Sequence, residues 1–249
     1  MDRHIDRRQR GSLCMTNSKV ELRRFGSADA LASEVAKDIA AQLARAVTAR
    51  GQASLLVSGG HSPARLFERL RTQALDWSQV SIALVDERWV EPTDPESNER
   101  LLRETLLRDG AAAARFFGLK NPAPSPDLGA GPAWNALARI PRPSDITVLG
   151  MGDDGHTASL FPGSPNLKSA LDPEASEGCI GMWSPSAPHA RLSLNLRALL
   201  DSRRILIFLV GEAKLRTYAA ACGPGPVEEM PVRAVLRQQR VPVEVVWAP

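Results

Sequence analysis

The amino-acid sequence predicts an α/β fold, a single domain with a mainly parallel sheet and helices on both faces. Three observations carry this expectation. Short apolar runs of strand length alternate with stretches whose apolar residues recur at helical spacing. The strongest run, RILIFLV at 204–210, is apolar at nearly every position, the pattern of a strand covered on both faces. Glycine and proline punctuate the junctions, as in SGGHSP at 58–63.

In chain order, the first strand falls at 20–25, and Ser27 is placed to cap a helix with the apolar stripe Leu31, Val35, Ile39, Leu43 and Val47, stopped by Gly51. ASLLV at 53–57 reads as a buried strand, and a second helix opens with Ser62 at its cap and Pro63 in its first turn. A strand at 80–85, a helix at 98–107, strands at 146–149 and 204–210 and a helix at 212–221 continue the alternation. The Pro- and Gly-rich segment at 121–132 reads as a surface loop inside one domain, because neither side of it holds a complete sheet. Residues 1–18 read as a flexible N-terminal extension and 19–249 as the folded domain.

With 249 residues, 43% of them hydrophobic and 24% charged, the chain is long enough for a sizeable core and has the composition of a soluble globular protein. Its formal charge of +3 owes much to the first ten residues, which hold four arginines against two aspartates. Elsewhere Lys and Arg are dispersed and aromatics amount to 5%, which argues against a nucleic-acid partner. Cys14, Cys179 and Cys222 are odd in number and far apart, so neither a disulfide framework nor a zinc site is expected, and a cytoplasmic location fits. No apolar run approaches the ~18 residues of a membrane span, so no membrane partner is expected.

In an open parallel sheet, ligands gather where strand carboxyl ends meet helix starts. In SGGHSP, Gly59 and Gly60 permit close backbone approach and free N–H groups can face an anion; the alternative is a plain tight turn. SGGHSP itself carries neither a Walker lysine nor GxGxxG, which disfavours a dinucleotide cofactor at this loop. In VDERWV, the charged triplet Asp86, Glu87 and Arg88 follows a buried strand and must line a cleft or pair internally, and Arg88 can fork onto a phosphate. Ser97 and Asn98 read as helix-cap residues. In GMGDDGH, Gly150, Gly152 and Gly155 let the backbone turn sharply, so that Asp154 and His156 project into one space; a carboxylate beside an imidazole suits general acid/base work. Arg191 and Lys214 stand at the starts of a strand and a helix, pointing over the sheet end or serving as surface charges. Without HExxH or GxSxG, no metal is expected and water is the favoured nucleophile.

These stretches together, SGGHSP, VDERWV with the later SN, LGMGDDGHTASLFPG, PHARLSLNL and VGEAKL, resemble the 6-phosphogluconolactonases of the family related to glucosamine-6-phosphate isomerase/deaminase. The resemblance implies a Rossmann-like domain of the sugar-phosphate isomerase/lactonase type and hydrolysis of 6-phospho-D-glucono-1,5-lactone in the oxidative pentose phosphate pathway, with no cofactor. It implies a small-molecule sugar-phosphate substrate and a cytoplasmic monomer or weak homodimer. Gly59, Gly60, His61, Ser62, Arg88, Arg191 and Lys214 would bind substrate, and His156 with Asp154 and Asp86 would do the chemistry. His61 departs from the family pattern, which commonly has a small hydroxyl residue there. Two alternatives are a sugar-phosphate isomerase or deaminase, for which Asp86 stands at a position resembling the proton-shuttling base, and a non-catalytic sugar-phosphate sensor.

Overall fold

The structure, a computed structural model, describes residues 10–11, 20–60, 62–184 and 188–249. Strands β1 (Arg10–Gly11), β2 (Val20–Arg24), β3 (Ala53–Val57), β4 (Val80–Leu84), β6 (Arg115–Phe117), β7 (Ile146–Leu149), β10 (Ile205–Val210) and β11 (Val243–Ala248) form one sheet in the order β1-β2-β11-β10-β7-β3-β4-β6. Seven of them run parallel, and β1 pairs antiparallel to β2 at one edge. The apolar runs explain the architecture, because every residue of β3, β4 and β7 is buried and such strands need cover on both faces. The flanking helices supply it.

Helix α1 (Ala28–Arg50) forms as its sequence dictates. Ser27 accepts a hydrogen bond from the Ala30 N–H at 3.2 Å, and Gly51 ends the helix at φ 73°. Leu31, Val35, Ile39 and Leu43 are buried, while Val47 is only partly covered. Helix α2 (Ala64–Leu70) departs from expectation: Pro63 takes the cap position with no side-chain hydrogen bond, so Ser62 is not its cap. Proline at the start needs no N–H partner, which leaves the serine hydroxyl available elsewhere.

A second sheet was not anticipated. Strands β5 (Asp86–Arg88), β9 (Arg191–Leu194) and β8 (Cys179–Met182) pair antiparallel in the order β5-β9-β8. Val85 joins the sheets: its N–H donates to Val57 O at 2.9 Å, and its carbonyl accepts from the Leu194 N–H at 2.7 Å. The segment read as a loop at 121–132 contains most of helix α4 (Pro126–Leu137). Ser125 accepts from the Leu128 N–H and Pro126 starts the helix, so the proline that suggested a loop stands where helices tolerate it. Its Gly129 lies against Trp89, where an added Cβ would sit 2.2 Å from the ring.

Helices α3 (Asn98–Thr105), α5 (Leu167–Ala170), α6 (Leu196–Leu200), α7 (Glu212–Cys222) and α8 (Val232–Arg237) complete the fold. Cys179 is a free, buried thiol pushed up to about 12 by that burial, and Cys222 is disulfide-bonded. The cysteine reading is therefore corrected at Cys222, since sequence separation sets no limit on pairing in space. Among the described residues no helix is long and apolar enough to cross a membrane.

Candidate active site

From β3 the chain proceeds outward to β4 and β6, then returns to β7 on the other side of β3 and continues to β10. The direction of winding thus switches between β3 and β7, and the loops leaving their carboxyl ends separate to form a crevice. The Ser58 N–H donates to Val148 O at 2.9 Å, tying the two strand ends together below that crevice.

The loop after β7 is built around its glycines. Gly155 holds φ 79° and abuts Met230, leaving no room for a side chain. The Gly155 N–H donates to Gly152 O at 3.1 Å, and the Gly152 N–H donates to His156 O at 2.8 Å. This tight return places His156 Nδ1 2.6 Å from Asp154 Oδ1, which also accepts from the His156 N–H. Burial pushes the Asp154 carboxyl up, but the hydrogen bond and positive partner at His156 outweigh it and hold Asp154 below the usual carboxylate range. An ionised Asp154 can only accept, so Nδ1 carries a proton towards it, and in the neutral ring the lone pair falls on Nε2.

Across the crevice, β5 and β9 place Arg88 directly opposite Arg191. Like charges opposed across an antiparallel pair are unfavourable. Arg191 is held below the usual guanidinium value, first by burial and further by Arg88, against the pull of Asp86. The Nε atoms of both arginines are buried without a hydrogen-bond partner. Asp86 Oδ2 accepts from Ser159 Oγ at 2.7 Å and lies 4.0 Å from the Arg191 guanidinium. At the start of α7, Lys214 Nζ pairs with the exposed Asp153 at 2.8 Å.

A cavity of about 220 Å³ unites these groups: Gly59, Gly60, Ser62, Asp86, Arg88, His156, Arg191 and Lys214 all line it, with Asp154 behind the imidazole. Of the residues singled out in the sequence, His61 lies outside the described residues. Glu87 turns away from the cavity. It is fully buried and accepts from the N–H groups of Arg88, Asn98 and Glu99 and from Ser97 Oγ, at 2.7–3.0 Å. Burial pushes its carboxyl up and the four donors pull it partly back. Its task is to anchor the first turn of α3. Among the described residues no three His, Cys, Asp or Glu side chains group as metal ligands.

The profile of the glucosamine-6-phosphate isomerases/6-phosphogluconolactonase family matches residues 26–247. The chain belongs to this family. It is 45% identical over 230 residues to a 6-phosphogluconolactonase of Pseudomonas aeruginosa, covering 92% of this chain and 95% of that one. It is 44% identical to one of Rhizobium meliloti, covering 90% and 97%. The crystal structure of a 6-phosphogluconolactonase from Shewanella baltica superposes with a TM-score of 0.89 at 47% identity, covering 92% and 97%.

Three side chains at this site of the isomerase/lactonase family escaped sequence reasoning. Phe161 wedges between His156 and Arg191: its ring centroid lies 4.4 Å from that of His156, and the Arg191 guanidinium stands 5.2 Å above it. Ser159 holds Asp86. Both sit in the ASLFPG tail, where only the resemblance marked them. Asn98 lines the cavity although its position at the opening of a helix made it read as a cap residue.

Proposed function

We propose that this protein hydrolyses 6-phospho-D-glucono-1,5-lactone to 6-phospho-D-gluconate, as the names of its relatives suggest. The observation that carries this reading is the shared cavity: an imidazole backed by a carboxylate opens on the same space as a glycine loop and two opposed, incompletely bonded arginines. The first is equipped to move a proton and the second to hold a multiply charged anion.

Neutral His156 takes a proton through Nε2 from a water molecule whose oxygen attacks the lactone carbonyl. As the tetrahedral intermediate collapses, the bond to the ring oxygen breaks and the imidazolium returns a proton to that oxygen, leaving a hydroxyl and a carboxylic acid that ionises. Asp154 fixes the ring's tautomer and stabilises its charged form. The phosphate rests on Gly59, Gly60 and Ser62, with Arg88, Arg191 and Lys214 as cations and Asp86 orienting Arg191. Anchoring the anionic end orders the reacting carbonyl without touching it. The reaction needs no cofactor and would proceed in the cytoplasm, within the oxidative pentose phosphate pathway, on a monomer or weak homodimer.

The test is turnover of freshly generated 6-phosphogluconolactone against its spontaneous opening, with the unphosphorylated lactone as control. The native protein is expected to prefer the phosphorylated lactone strongly, and His156→Ala to lower kcat by about 10²- to 10⁴-fold. Equal rates on the two lactones, or an unchanged His156→Ala, would overturn the assignment. The position of Asp86 on the cavity wall keeps one rival reading, an isomerase or deaminase, in view. Ammonia release from glucosamine 6-phosphate would support that rival.

A further inference from the structure

The proposed reaction gives no part to Asn98, a polar residue of the cavity wall. Asn98, the first residue of α3, is 2% exposed and lines the cavity. Its Nδ2 donates to the Asp86 carbonyl oxygen at 2.9 Å. That bond fixes the amide's orientation, because the flipped form would set oxygen against oxygen. Oδ1 must then face the other way, and it is buried without a hydrogen-bond partner. Its direction is given by Gly59, where an added Cβ would lie 2.0 Å from Oδ1. The acceptor therefore lies against Gly59, on the wall of the cavity that both residues line.

Nothing in the local scaffold lets this amide relax. Its backbone N–H donates to Glu87 Oε1 at 2.7 Å, and Glu87 is itself fully buried under four donors. A rigidly held, desolvated acceptor without a donor is uncommon in folded proteins and marks a place where something else supplies the proton. A phosphate dianion offers only acceptors, so it does not suit Oδ1 and turns instead to the loop N–H groups and the cations. The donors that a phosphorylated sugar lactone carries are its ring hydroxyls.

Building on the lactonase reading, we propose that Asn98 binds substrate and sets specificity: Oδ1 accepts a hydrogen bond from one ring hydroxyl of the lactone and so fixes which way the ring lies between the phosphate seat and His156. A substrate lacking that hydroxyl leaves the buried oxygen unpaired, and sites of this kind discriminate strongly against such analogues.

The experiment measures kcat/KM for 6-phosphogluconolactone and its 2-, 3- and 4-deoxy counterparts with the native protein and Asn98→Ala, alongside Tm. One deoxy lactone is expected to lose about 10- to 100-fold with the native protein but under about 3-fold more than the parent with Asn98→Ala. The other two should lose equally in both proteins. Identical deoxy profiles in the two proteins, with only Tm lowered, would show that Asn98 merely braces the turn between β5 and α3. Should Asn98→Ala fail to fold, the native profile decides: three deoxy lactones within about 3-fold of the parent refute the proposal. Parent turnover with a flat profile sinks this inference alone, whereas no turnover of the parent sinks the lactonase reading with it.

Discussion

Replacing Gly152 with alanine tests whether the dyad's position, and not only its presence, drives hydrolysis. Gly152 does not occupy the left-handed region that Gly155 does, so its backbone accepts alanine. Space is what it lacks. The new Cβ would lie 2.0 Å from His156 Nδ1 and 2.6 Å from Asp154 Oδ1, where ordinary contact begins at 3.4 Å. Two backbone hydrogen bonds pin the loop at 2.8 and 3.1 Å, so the softer adjustment is withdrawal of the imidazole by more than about 1 Å. A displacement of that size in a reacting group costs about 10²-fold in rate. The assay follows proton release from freshly made lactone above the uncatalysed rate, with Tm measured in parallel and Gly131→Ala, whose Cβ meets nothing within 4 Å, as control. A folded Gly152→Ala retaining turnover within about threefold of native would refute this account of the loop.

Other perturbations probe separate parts of the site. Asp154, held below the usual carboxylate range, stabilises the fold fully above the unfolded value of about 3.9 and loses that contribution as pH falls through its lower folded value. The Tm gap between native and Asp154→Asn should accordingly be present at about pH 5 and close in stronger acid; a gap that persists undiminished at about pH 2 refutes the linkage. Glu87→Gln puts an NH2 among donors and is expected to cost about 2–4 kcal/mol, read as a lower urea midpoint at constant m. An unchanged midpoint would remove Glu87 as the anchor of α3. Arg191→Ala should raise KM for the phosphorylated lactone about 10- to 100-fold and leave the unphosphorylated lactone untouched. Equal losses on both lactones would take Arg191 away from the phosphate.

The parallel sheet was legible because β3, β4, β7 and β10 are apolar along nearly their whole length, a pattern that local composition alone creates. Helix α4 was missed because Pro126, Gly129 and Pro132 speak for a loop in isolation, whereas tertiary packing on Trp89 favours small residues there. The second sheet was missed for another reason. Its strands have three or four residues, too few for periodicity to register, and β5 and β9 find each other only in space. The candidate catalytic pair was readable from GDDGH because Asp154 and His156 are sequence neighbours on a glycine-shaped turn. The part of Asn98 was not, because an orphaned acceptor exists only once Asp86 has claimed the other half of its amide.

The face-to-face placement of Arg88 and Arg191 bears on how the molecule behaves when empty. Two cations locked opposite one another amount to local frustration that the rest of the domain must tolerate. An anion entering between them removes the repulsion, so occupancy should stiffen this end of the barrel-less sheet and make heat resistance a gauge of substrate level. Neutralising either arginine would then yield a hardier but idler protein, an instance of durability traded against work.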